Sequence, residues 1–133
     1  MSPRFGSNPL ARILALSSLA EIVTGVALVI SPAFVVTSLI APVTSALIIP
    51  IARVAGIALI ALGVACWAGW NRVADGAFRA LLTYNLLVAC YLAYLGTAGH
   101  LGGVLLWPAM ILHTGVTVLL LFFRKAETPR SSA

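Results

Sequence analysis

The sequence predicts an all-α integral membrane protein: a four-helix bundle with a short interfacial helix between the first and second spans. Three observations predict it. The chain of 133 residues is 62% hydrophobic and 8% charged, against roughly a quarter charged in soluble domains. A globule of this size would leave so much apolar surface wet that its exterior would be one adhesive patch. The apolar residues also fall into four long stretches, near 10–30, 47–69, 78–96 and 101–123, each close to the ~20 residues a helix needs to cross a bilayer. Finally, these stretches lack the alternation of a transmembrane β-barrel strand. No second composition regime or soluble linker interrupts them, so residues 1–133 form a single transmembrane domain.

The first stretch follows Arg4 and Arg12 and contains Glu21. A signal peptide would share the basic start, but this run is too long for its apolar core and lacks a small-x-small cleavage site. At helical spacing Leu14, Ser17, Ser18, Glu21, Thr24, Gly25 and Leu28 share one face. Leu16, Leu19, Val23, Val26 and Ile30 form the other, suited to lipid. The polar and small stripe should therefore point into the bundle.

The uncharged segment 31–50 is bracketed by Pro32, Pro42 and Pro50. Ser31 as N-cap and Pro32 at the first helical position predict a short interfacial helix over 32–40. A re-entrant path would need its backbone groups satisfied by protein or water.

In the second stretch, ARVAGIALIALGVACW, residues Arg53, Gly56, Ile60, Gly63 and Trp67 share a face. Ala52 and Gly56 make a small-xxx-small pair that allows close helix approach. Trp67 and Trp70 suit the headgroup level. The connector WNRVADGAF places Asp75 to cap the third stretch, which carries Tyr84, Asn85, Tyr91 and Tyr94. In the fourth, Trp107-Pro108 predicts a bend, and His113 shares a face with Ala109 and Thr117.

Net charge +5 and a pI near 10.0 do not indicate nucleic acid, because the basic residues are scattered and sit at span ends. With four crossings, Arg4, Arg12, Arg72, Arg79, Arg124, Lys125 and Arg130 lie on one side and only Arg53 on the other. By the positive-inside rule both termini face the cytoplasm.

Glu21 lies ~13 Å below the outer end of its span, Arg53 ~9 Å below the outer end of the next, and His113 ~18 Å into the fourth. An isolated charge at such depth costs at least ~2.5 kcal/mol, so a Glu21–Arg53 salt bridge is expected. The candidate intramembrane polar network is Glu21, Arg53, Asn85, His113, Tyr84, Tyr91, Ser17 and Thr24. Two readings compete for it: a satisfied network that fixes helix register, or a proton or cation relay or a site for a quinone or polar substrate. One histidine and one carboxylate at depth are too few for a metal. No nucleophile–base–orienter order or phosphate loop assigns a catalytic residue, and the sequence specifies no cofactor. Cys66 and Cys90 lie at depths too different for a disulfide.

The stretches LLTYNLLVACYLAYLG and GVLLWPAMILHTGVTVLLL, with RVAGIALIALGVACW as a further echo, resemble small bacterial four-helix membrane proteins of broadly DoxX-like pattern. The resemblance implies a bacterial inner-membrane location. It assigns no chemistry to any residue, and the quinone-coupled sulfur oxidation linked to DoxX itself has no motif here. The expected partners are the lipid bilayer and a homo-oligomer or larger membrane complex, with no nucleic acid. The leading expectation is a non-enzymatic accessory or structural component of a membrane complex. The alternatives are a small oligomeric transporter or proton-coupled carrier using Glu21, Arg53 and His113, and a quinone-interacting redox subunit.

Overall fold

A computed structural model of the chain describes residues 8–40, 45, 47–67 and 72–127. Among them are five helices and no strands: α1 (Pro9–Ile30), α2 (Pro32–Leu39), α3 (Ile48–Cys66), α4 (Asp75–Thr97) and α5 (Leu106–Glu127). All but α2 are long and apolar enough to cross a membrane, which marks a multi-pass membrane protein with the expected all-α fold. The expected extension of the second span to Gly69, Trp70 beyond it, Pro42, and the termini with Arg4 and Arg130 lie outside the described residues.

Asn8 starts α1. Its side-chain oxygen accepts from the N–H groups of Leu10 (2.9 Å) and Ala11 (3.3 Å), and Pro9 follows at the first helical position, where no N–H is needed. Ser31 ends α1 through its N–H to the Ala27 carbonyl, and Pro32 opens α2 at once. The interfacial helix is thus present, though Ser31 makes no side-chain cap.

Its other end is fastened by tertiary contact. The N–H groups of Gly103 and Leu105 donate to the carbonyls of Leu39 (3.1 Å) and Ser38 (2.8 Å), groups that a helix end otherwise leaves unpaired. A Cβ at position 103 would collide with the Ser38 carbonyl. This docking corrects the expected start of the fourth span. Residues 101–105 are spent on the turn and on α2, with His100 in the left-handed region (φ 49°), so α5 begins at Leu106. Pro108 consequently falls in the first turn of α5, where a missing N–H costs nothing, and the bend expected there is not required.

The start of α4 also departs from expectation. Asp75 is its first residue and makes no side-chain cap; Ala74 occupies the N-cap position. The Asp75 carboxylate instead pairs with Arg124 of α5 at 2.7 Å.

α1 packs antiparallel on α3, α4 packs on α5, and the two hairpins meet mainly along α1 with α5 and α3 with α4. Glycines set the first hairpin. A Cβ at Gly25 would lie 2.5 Å from the Gly56 carbonyl oxygen, and one at Gly63 2.5 Å from that of Ser18, so the two backbones touch as small-residue faces allow. Ala52 and Gly56 are both buried, as their spacing predicts. An apolar core gathers Leu10, Leu14, Cys66, Phe78, Leu81 and Leu120, at the end where α1 and α4 begin. On α1, Leu16, Leu19, Val23, Val26 and Ile30 are all exposed, matching the predicted lipid face. Both cysteines are free, Cys66 buried and Cys90 exposed.

Candidate intramembrane site

The i, i+4 spacing of Ser17 and Glu21 puts both on the inner stripe of α1, and Leu81 and Asn85 stand in the same relation on α4. α5 brings His113 and Thr117 alongside. Glu21 is 3% exposed and Asn85 1% exposed. The Tyr84 side chain stands beside the Glu21 carboxylate, and the Tyr84 ring meets His113 edge to face with centroids 5.8 Å apart.

Asn85 joins the three helices. Its Nδ2 donates to the Leu81 carbonyl (2.8 Å) and to Ser17 Oγ (3.3 Å), and its Oδ1 lies 2.8 Å from His113 Nδ1. The carbonyl partner can only accept, which fixes the amide orientation and leaves Oδ1 as acceptor. His113 therefore donates from Nδ1, and in the neutral ring its Nε2 is left as the acceptor. Thr117 donates to the His113 carbonyl at 2.8 Å. Ser18, on the α3 side of Glu21, has a buried hydroxyl without a hydrogen-bond partner among the described residues.

Beside this cluster lies a cavity of about 190 Å³ between α1 and α5. Ser17, Glu21 and Asn85 line it together with apolar side chains, among them Leu16, Leu112 and Leu119. Those three leucines are exposed, so the cavity is a groove with a polar floor and an opening toward lipid.

Compared with protein-family models, curated proteins and solved structures, the chain matches none. The site must be read from its own geometry.

That geometry brings Glu21, Tyr84, Asn85, His113 and Ser17 together and leaves out Arg53, Thr24 and Tyr91. The expected Glu21–Arg53 salt bridge is not made, and Arg53 is exposed. Depth counted from span ends treats residues 30 and 47 as level. The glycine contacts instead set Gly25 against Gly56, so Arg53 and Glu21 lie on opposite sides of that crossing, ~10 Å apart along the axes. In that register Arg53 lies level with the last turn of α1. Thr24 lies on the groove flank of α1, where no helix covers it, and is exposed, whereas Gly25 on the α3 flank is buried. Tyr91 is 60% exposed and stacks on Tyr94 at 6.4 Å, away from the network. The groove and the pairing of Asn85 with His113 are not legible in the sequence, because periodicity gives a residue's face but not the helix opposite it.

Chemically, the floor offers a carboxylate beside a phenol, with no basic side chain paired to it among the described residues. It can hold a proton, or a cation delivered through the lipid.

Proposed function

We propose that this chain is a multi-pass protein of a bacterial inner membrane that works as a small proton-coupled carrier. Its ligand is a lipophilic molecule bearing a positive charge, held at Glu21 in the groove between α1 and α5. The observation that carries this reading is the buried Glu21 carboxyl, beside Tyr84, uncompensated by any cation among the described residues, and lining a lipid-facing groove. A glutamine would fill the same place without the cost of a charge at membrane depth. The carboxyl adds one capacity, exchange of a proton for a cation. The groove is smaller than the roughly 300–1,000 Å³ of pockets that enclose a ligand, which suits a site that takes a charged head and leaves the apolar remainder among lipid chains or against a second copy.

The basic residues support the orientation. Arg12, Arg72, Arg79, Arg124 and Lys125 lie at the ends of the spans that share the start of α1, so both termini belong in the cytoplasm. The likeness in pattern to DoxX-like proteins supports the inner membrane.

A lipid-soluble carbodiimide tests the site. Glu21 should be modified in wild-type protein, protected by excess tetraphenylphosphonium, and unlabelled in Glu21→Gln. Labelling that the cation leaves untouched would count against a cation site.

One observation favours a second reading, an accessory component of a larger membrane complex. Arg53 turns outward from α3, a position that a carboxylate on a neighbouring membrane subunit would satisfy. Purification in mild detergent should then yield a fixed-ratio complex that Arg53→Leu disrupts; a lone species would discard it.

A further inference from the structure

A second cavity, independent of the groove, lies where α4 begins and α5 ends. It measures about 390 Å³ and is lined by Asp75, Phe78, Arg79 and Arg124. Arg124 Nη2 pairs with Asp75 Oδ1 at 2.7 Å, and its guanidinium stands 5.1 Å from the centre of the Phe78 ring. Arg79 is anchored from the first turn of α4, where its Nε donates to the Asp75 carbonyl at 3.4 Å. Its two terminal nitrogens take no partner among the described residues. Among the described lining residues, two guanidiniums face one carboxylate.

The position of the cavity narrows what fits it. The span Asp75–Thr97 starts here and the span Leu106–Ala126 ends here, at the level where hydrocarbon gives way to headgroups. Phe78 is buried and closes the cavity toward the bundle. Phe122, 65% exposed, continues the end of α5 as apolar surface just before the basic pair Arg124 and Lys125. A ligand here meets cationic groups at its head and hydrocarbon beside it.

We propose that this cavity binds a phosphodiester anion, with Arg79 as the principal ligand and Arg124 as the second. The phosphate comes from the headgroup of an anionic phospholipid or from a soluble phosphodiester. Planar guanidinium forks match phosphate oxygens, and phosphodiesters are the anions that a bilayer supplies at this depth. Asp75 is the built-in competitor, since its carboxylate pairs with the same Arg124. That role gives the test a sign that a structural role would not.

The full chain in detergent is titrated by native mass spectrometry with phosphatidylglycerol, phosphatidylcholine and glycerophosphoglycerol. Wild-type protein should prefer phosphatidylglycerol over phosphatidylcholine by about fivefold, the scale of one basic residue at a membrane surface. Arg79→Gln should bring the two lipids to parity, and Asp75→Asn should strengthen phosphatidylglycerol binding. Displacement of the lipid by glycerophosphoglycerol would assign the site to soluble diesters; no displacement would assign it to lipid. Equal binding of both lipids by wild-type protein, a preference unchanged in Arg79→Gln, or a weaker preference in Asp75→Asn would overturn the proposal. Arg79 is exposed, so its replacement tests binding without removing a core contact.

Discussion

Asn85 is the residue on which the polar contacts of the bundle converge. Its amide serves Leu81, Ser17 and His113 on three helices, so replacing it strands groups on two neighbours. Asn85→Leu, close in volume, should destabilise the protein by about 1–2 kcal/mol, read as a lower unfolding midpoint in detergent. Arg53→Leu should leave both that midpoint and carbodiimide labelling of Glu21 unchanged, because Arg53 faces outward ~10 Å along the axis from Glu21. The contrast marks what single residues disclose. Glu21 is legible as an intramembrane carboxylate because a charge in an apolar run stands out. Its neighbour is not legible, because whether Arg53 or Tyr84 stands beside it turns on axial offset between helices, which residue type and period do not carry.

Among the elements, the α1–α3 hairpin depends most on small residues. Gly56→Val would push a Cβ to 2.6 Å from the Gly25 carbonyl oxygen, and should cost about 1–3 kcal/mol as the helices part. Gly115→Ala on α5 is the control: a Cβ there meets nothing within 4 Å, so the unfolding midpoint should stay put. Periodicity made the inward and outward faces of α1 readable, down to the exposed Leu16, Val23 and Ile30. The start of α5 was not readable. Residues 101–105 are apolar enough to continue a span, yet the N–H groups of Gly103 and Leu105 are committed to α2, a tertiary demand with no local signature.

Across the bundle, two antiparallel hairpins meet more loosely than either packs within itself, and the groove with Glu21 on its floor lies along the α1–α5 part of that seam. The fold class was legible because lipid imposes span length and apolarity on each helix. The groove was not, because it arises from how two hairpins fit. The proposed carrier function rests on the exchange of a proton for a cation at Glu21, and the direct measurement is proton release. Purified protein in weakly buffered detergent, mixed with saturating tetraphenylphosphonium, should release about one proton per site, and Glu21→Gln should release none. Cation binding without proton release, or the same release from Glu21→Gln, would contradict exchange at this carboxyl.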